Sequence, residues 1–233
     1  MAGSSQIMTL LALIPARGGS KGIPRKNIRS FCGKPLLQWS IDAALAAACV
    51  DQVVVSTDDP EIAALAKAGG AEVPFLRPAE LATDEAPGIP PVLHALEQLP
   101  KVSDVLLLQP TSPLRTSADI EAIVALRQQA GCESAVSLMP SAKHPAWMYG
   151  LSQEQRLEPL LELDEIHCRQ QLPPAYVLNG ALYLASRVFL LRQHSFIRED
   201  TVGYVMPPER SVDIDTPFDW QWAEFLITCQ QKI

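Results

Sequence analysis

Thr9-Leu10-Leu11-Ala12-Leu13-Ile14-Pro15 runs directly into Ala16-Arg17-Gly18-Gly19-Ser20-Lys21-Gly22-Ile23-Pro24-Arg25-Lys26-Asn27. The first part is a continuous apolar run, the pattern of a strand buried on both faces as in a parallel sheet. The second part is rich in glycine and carries regularly placed cations. In an open α/β sheet, ligands bind beyond the carboxyl ends of the strands, where such a loop would lie. Glycines let backbone N–H groups approach phosphate oxygens, and Arg and Lys neutralise the charge. Neither G-x-x-x-x-G-K-[S/T] nor G-x-G-x-x-G is present, so this is neither a Walker loop nor a dinucleotide fingerprint. From spacing alone, two readings stand: a phosphate-binding loop of another kind, or a solvated basic turn.

Outward from this stretch the chain alternates strand-like and helix-like segments. Leu36–Cys49 is an Ala/Leu-rich helix, and Gln52–Ser56 a second β-branched strand. Ser56-Thr57-Asp58-Asp59-Pro60 ends that strand and opens a helix, which Gly69-Gly70 stops. Val105–Gln109 is a third strand, Ser117–Ala130 a helix capped by Ser117 and stopped by Gly131, and Ser134–Leu138 a fourth strand. The β-α-β-α order predicts a mainly parallel sheet covered by helices. Residues 139–174, rich in Pro, Gln and Glu, break the rhythm as an excursion from the sheet. Tyr176–Ala185, Val202–Val205 and Val212–Ile214 read as further strands, and Phe218–Cys229 as a closing amphipathic helix. The whole of 1–233 reads as one domain with 139–174 inserted in it.

Composition narrows the function classes. Hydrophobic residues make up 48 % and charged residues 19 % of the 233 positions, which supports a sizeable core and argues against disorder. No apolar run approaches the roughly 18 residues needed to span a bilayer; Leu10–Ala16 is short and Arg17 interrupts it. The start of the chain lacks a secretory leader pattern. Cys32, Cys49, Cys132, Cys168 and Cys229 are odd in number and form no C-x-x-C pair, so they read as reduced thiols of a cytoplasmic protein. The net charge of −7 opposes general nucleic-acid binding, yet Arg17, Lys21, Arg25, Lys26, Arg29 and Lys34 cluster near the start. A local positive patch on an acidic protein points to a small polyanion such as a nucleotide triphosphate.

Two further motifs carry chemistry. In Ser211-Val212-Asp213-Ile214-Asp215-Thr216-Pro217 the aspartates stand at i and i+2, on one face if the segment is a strand. Both carboxylates could then converge on a hard cation such as Mg2+, with phosphate oxygens and water completing its shell; a helix-capping role for Asp215 is the alternative. Leu106-Leu107-Leu108-Gln109-Pro110-Thr111-Ser112-Pro113-Leu114-Arg115 is a buried strand that delivers polar groups at its end, stiffened by two prolines. Rigid presentation of Gln109 suits a substrate hydrogen bond; a tight turn before the next helix is the alternative. The histidines read as packing residues: His94 on an apolar helical pattern, His144 and His167 in the excursion, and His194 in a polar loop.

These motifs occur in order with Phe75-Leu76-Arg77-Pro78-Ala79-Glu80-Leu81 and Asn179-Gly180-Ala181-Leu182-Tyr183. The combination resembles the acylneuraminate cytidylyltransferases, from about Thr9 to about Cys229. The resemblance implies a Rossmann-like α/β nucleotidyltransferase, a homodimer, and a dimerisation role for residues 139–174. It implies that Arg17 and Lys21 hold the triphosphate and that Asn27 and Arg77 hold the cytidine, with Lys26 in the same stretch. Gln109, Asn179 and Tyr183 match sugar-side positions, and Arg169 matches a binder of the sugar carboxylate near the dimer contact. Asp213 and Asp215 match ligands of Mg2+. The implied reaction is in-line attack of a sugar's anomeric hydroxyl on the α-phosphate of CTP, with pyrophosphate leaving and no side chain standing out as general base. In it Arg17, Lys21, Asp213 and Asp215 carry the charge stabilisation.

Two departures bear on the sugar. Ala146-Trp147 follows His144-Pro145 where sialate-specific members carry a lysine, and Val177 stands where they carry an arginine. A lost cation and a gained aromatic predict a less polar substituent, as in legionaminic acid, ahead of N-acetylneuraminate. A Kdo-type or other sugar nucleotidyltransferase, a metal-dependent glycosyltransferase and a catalytically silent nucleotide-binding protein are the competing readings.

Overall fold

The computed structural model describes residues 9–20, 22–82, 88–161 and 172–230. In chain order its strands are β1 (Leu10–Pro15), β2 (Ser30–Phe31), β3 (Lys34–Pro35), β4 (Gln52–Ser56), β5 (Asp104–Leu107), β6 (Ser134–Pro140), β7 (Tyr149–Leu151), β8 (Leu157–Pro159), β9 (Tyr176–Ser186) and β10 (Val202–Val205). The helices are α1 (Leu36–Leu45), α2 (Pro60–Ala68), α3 (Pro90–Gln98), α4 (Ser117–Ala130), α5 (Arg187–Gln193) and α6 (Pro217–Gln230).

Six strands form the central sheet in the order β10-β6-β9-β5-β1-β4. β1 lies parallel between β4 and β5, and β10 is parallel to β6. Only β9 runs the other way, antiparallel to both β5 and β6. The sheet is therefore mainly parallel, as the sequence pattern predicts. Leu11, Ala12, Leu13 and Ile14 are wholly buried because apolar layers cover both faces: Ala12 and Ile14 face Leu37, Ile41 and Ile120, while Leu11 and Leu13 face Val92, Leu96 and Phe189.

Several boundaries move for local reasons. α1 ends at Leu45, short of Cys49, because residues 46–51 turn back into β4, with Asp51 accepting from the Leu10 N–H at 2.7 Å. The N-cap of α4 is Thr116, one residue before Ser117: its Oγ1 accepts from the Asp119 N–H while Asp119 accepts from the Thr116 N–H, a reciprocal capping box. Asp59 caps α2 as expected, accepting from the Glu61 and Ile62 N–H groups. The apolar pattern around His94 is realised as α3, while α5 carried no strong sequence signal.

Val212–Ile214 does not form a strand, which corrects the expected placement of Asp213 and Asp215 on one. The Ile214 N–H donates to the Thr111 carbonyl at 2.8 Å instead of joining a ladder. The alternation survives nonetheless: Ile214 is buried and the aspartates on either side of it are exposed. Within residues 139–174, β6 first runs on to Pro140, and β7 and β8 then pair as a small antiparallel hairpin apart from the main sheet.

Candidate active site

Three motifs meet over one apolar cluster beyond the carboxyl end of β1. Ile23 of the basic loop, Leu114 of the proline turn and Ile214 of the aspartate motif pack together with Phe31, Leu36 and Trp220, and α6 closes the cluster with Ala223 and Ile227. The polar residues flanking these anchors are thereby fixed relative to one another.

The basic loop is stitched to its surroundings through its own backbone. The Gly18 N–H donates to Asp58 Oδ1 at 3.0 Å, and the buried Asn27 side chain donates to the Arg17 carbonyl at 2.9 Å. Gly22 packs so closely that a Cβ there would stand 2.4 Å from the Asp215 carbonyl oxygen. Lys26 reaches the same segment, donating to the Ile214 carbonyl at 2.7 Å and to Asp215 Oδ1 at 3.1 Å. Arg25, in the left-handed region, is engaged by Asp59 and Glu61.

Arg77 lies against the loop. Its side chain is buried, 3.8 Å from Asp58, and its Nε and one Nη have no hydrogen-bond partner. Burial pushes its guanidinium below the ordinary arginine range; Asp58 opposes the shift and the nearby Arg17 adds to it. Buried cationic donors without partners are costly unless something anionic completes them.

At the aspartate motif, the Asp213 carboxyl is raised above the usual carboxylate range. Loss of hydration on partial burial is the first cause; Asp215 and Asp219 add to it, and Thr111 and Lys26 oppose it. Asp213 keeps one side open to solvent, so the surrounding walls and like charges raise it rather than full enclosure. Crowded negative charge with an open side fits a hard divalent cation, to which Asp213 and Asp215 could offer two carboxylates. Among the described residues no group of three or more His, Cys, Asp or Glu side chains forms a ligand cage. The remaining shell of such an ion would come from phosphate and water.

Gln109 and Asp213 converge on Gly180. A Cβ at Gly180, whose φ is +74°, would stand 3.2 Å from Gln109 Oε1 and 3.4 Å from Asp213 Oδ2. The bare glycine sits in an irregularity of β9: Val136 pairs with Tyr183 and Leu138 with Leu178, so residues 179–182 bulge opposite Ser137 alone. Bulges of this kind re-aim side chains beside functional sites. Ser137 Oγ donates to Asn179 Oδ1 at 2.6 Å and accepts from the Leu182 N–H at 2.8 Å. Asn179 Nδ2 donates to Ser211 Oγ at 2.9 Å, so its buried amide ties the bulge to the segment leading to Asp213. Tyr183 packs against Phe196, and burial together with Asp213 raises its phenol above the ordinary range.

The structure thus gathers Arg17, Asn27 and Arg77 near Asp58, joins Lys26 to Asp215, and sets Gln109 beside Asp213, with Asn179 beneath and Tyr183 further along β9. Lys21 and Arg169 lie outside the described residues. Sequence reasoning missed Asp58, Thr111 and Arg115, although all three belong to the motifs it quoted. It also missed the pairing of Asp119 with Arg210, where the buried carboxylate accepts at 2.8 Å and 3.0 Å and pins the turn before Asp213 to α4.

The family model described as Cytidylyltransferase matches residues 11–144. A CMP-N,N'-diacetyllegionaminic acid synthase of Legionella pneumophila is 40 % identical over 97 % of this chain and 99 % of its own. An N-acylneuraminate cytidylyltransferase of Escherichia coli is 34 % identical over 96 % of this chain, which spans 52 % of that longer protein. Among solved structures, a CMP-2-keto-3-deoxy-manno-octonic acid synthetase in complex with CTP superposes with a TM-score of 0.71 at 17 % identity, over 95 % of this chain and 99 % of the other. The basic loop lies wholly inside the matched region, and the similarity runs on through Asp213 and Asp215 to nearly the full length: the chain belongs to the cytidylyltransferase family.

Proposed function

We propose that this protein transfers CMP from CTP to the anomeric hydroxyl of a nine-carbon 2-keto sugar acid and releases pyrophosphate. The observation that carries the reading is the locking of the basic loop to the aspartate motif, through Gly22 against the Asp215 carbonyl and Lys26 on Ile214 and Asp215. A loop that holds a triphosphate and carboxylates that hold a cation must keep a fixed separation if both act on one α-phosphate. Arg17, Lys21, Lys26, Asn27 and Arg77 take the nucleotide. Gln109, Asn179, Tyr183 and Arg169 form or support the sugar side. Asp213 and Asp215 would hold Mg2+, which when bound supplies Lewis-acid charge stabilisation at the α-phosphate.

The favoured sugar is legionaminate-like. Trp147 and Val177 present apolar surface where a more polar substituent would want a cation, and the 40 %-identical relative is named for diacetyllegionaminic acid. A homodimer accounts for the hairpin: Trp147, Tyr149, Leu151, Leu157, Tyr176 and Leu178 are all more than a third exposed. A two-stranded hairpin of that composition does not hold up alone in water.

The test is pyrophosphate release from CTP and Mg2+ with legionaminate, N-acetylneuraminate, pseudaminate and Kdo in parallel, for the wild type and Asp213→Asn. Release with legionaminate, falling at least about a hundredfold in the variant, is expected. Turnover of Kdo alone would overturn the sugar class. CTP binding without release from any sugar would leave a nucleotide-binding protein.

A further inference from the structure

Arg115 is 3 % exposed, and its guanidinium reaches three separate elements. Nε donates to the Ala181 carbonyl in the β9 bulge at 3.0 Å, Nη1 to Ser40 Oγ on α1 at 2.7 Å, and Nη2 to the Gln109 carbonyl. All three acceptors are uncharged. A cation buried on neutral partners is costly, and apolar residues of similar size commonly fill such places without loss of stability. Burial pushes this guanidinium down to about 9, opposed by the charges of Asp119 and Asp213, so it stays protonated at neutral pH.

The three acceptors explain the choice of residue. The Gln109 carbonyl fixes the turn that presents the Gln109 side chain, and the Ala181 carbonyl fixes the bulge next to Gly180. Those are the two walls that meet at Gly180, with Asp213 beside them. Ser40 anchors the fork to α1, and its hydroxyl also lies 3.5 Å from the Gln109 carbonyl. A planar fork with donors at fixed angles sets the distance between two walls, which a lysine's single ammonium cannot do.

We infer that Arg115 is a positioning residue for the acceptor half of the site, holding Gln109 and the β9 bulge in register so that the sugar acid is recognised. This rests on the reading of Gln109 as a sugar-side residue. The donor half, built on the basic loop and Arg77, contributes none of the three carbonyl or hydroxyl groups that Arg115 holds.

The experiment compares Arg115→Lys, Arg115→Met and Ser40→Ala with the wild type by steady-state kinetics on the preferred sugar acid and by calorimetric titration with CTP. Arg115→Lys should raise KM for the sugar acid about tenfold or more while CTP binds within about twofold of wild type, because displacing a substrate-positioning wall by a fraction of an ångström is felt at the substrate it touches. Ser40→Ala should move the same KM in the same direction by less, and it serves if Arg115→Met does not fold. In a Gln109→Ala background, Arg115→Lys should add much less than its single effect. Unchanged sugar KM with only a smaller active fraction, a parallel loss of CTP affinity, or full multiplicativity with Gln109→Ala would each overturn the inference. Absence of any turnover by the wild type would count against the proposed function instead.

Discussion

Replacing Gly22 by alanine tests the coupling between the basic loop and the aspartates proposed to hold Mg2+. An added Cβ would stand 2.4 Å from the Asp215 carbonyl oxygen, whereas a carbon–oxygen contact of this kind settles near about 3.3 Å. The gap must open by roughly 0.9 Å, and neither neighbour is a flexible side-chain end. Ile23 and Ile214 are both anchored in the same buried cluster, so the movement falls on the loop between Gly18 and Gly22 or on Asp215. A misplacement of about 1 Å at reacting groups costs on the order of a hundredfold in rate. The assay is pyrophosphate release at saturating CTP and sugar acid across a Mg2+ titration, with thermal unfolding alongside. Gly22→Ala should lose about two orders of magnitude in kcat and require more Mg2+, while unfolding within a few degrees of the wild type. Gly19→Ala is the matched control, because a Cβ there meets nothing within 4 Å. Full activity in Gly22→Ala at wild-type Mg2+ demand, or equal damage in Gly19→Ala, would refute the idea that the two motifs share a fixed spacing.

Arg77→Met should weaken CTP binding by roughly ten- to a hundredfold and change the unfolding temperature little, because the loss of a long ion pair to Asp58 is offset by the removal of buried donors that lack hydrogen-bond partners; calorimetry and thermal unfolding read the two effects, and a large loss of stability would contradict them. Arg210→Ala should destabilise the fold by about 3 kcal/mol, the low end for a broken buried pair since Arg210 is partly exposed, as measured by chemical denaturation. Desolvation would raise the Asp119 carboxyl, but the hydrogen bonds from Arg210, Thr116 and Tyr204 prevail and hold it below the usual range. Its stabilisation is therefore present above the ordinary carboxylate pKa and is lost as pH falls through the lowered one; Arg210→Ala should flatten that acid limb.

Much of the fold was legible because its signals are local. The run Leu10–Pro15 could only be a doubly covered strand, and Asp59, Gly69 and Gly131 punctuate helices by capping chemistry that depends on near neighbours. The antiparallel direction of β9 was not legible, since strand direction is a matter of topology rather than of side-chain period. Val212–Ile214 failed as a strand for the same reason: the alternation was real, but the partner its backbone found was the Thr111 carbonyl in a turn. At the site, residue types with an evident chemical task stood out in sequence, as Asp213, Asp215 and Gln109 did. Arg115 and Arg210 did not, because their work is directed at protein groups and only distances reveal it. Gly22 and Gly180 act by what they lack, and that too is visible only once the neighbours are placed.

The two halves of the site are built on opposite principles, and the difference follows from their ligands. On the proposed nucleotide side, Arg77 pairs with Asp58 only at 3.8 Å, keeps donors without hydrogen-bond partners and stands near a second cation, Arg17, a state that an arriving polyanion would relieve. Binding energy there comes from completing interactions the free protein leaves open. On the acceptor side the donors are already engaged: Arg115, Ser137 and Asn179 all bond to protein groups, and the surface they shape is the bare backbone of Gly180 between Gln109 and Asp213. The carboxylate of a sugar acid can be gripped by charge, but its attacking hydroxyl is neutral, so the placing of that hydroxyl has to reside in walls set before it enters. Substitutions on the first side should therefore register mainly in affinity for CTP. Those on the second should register in the choice and placement of the sugar acid, even where the altered residue never touches it.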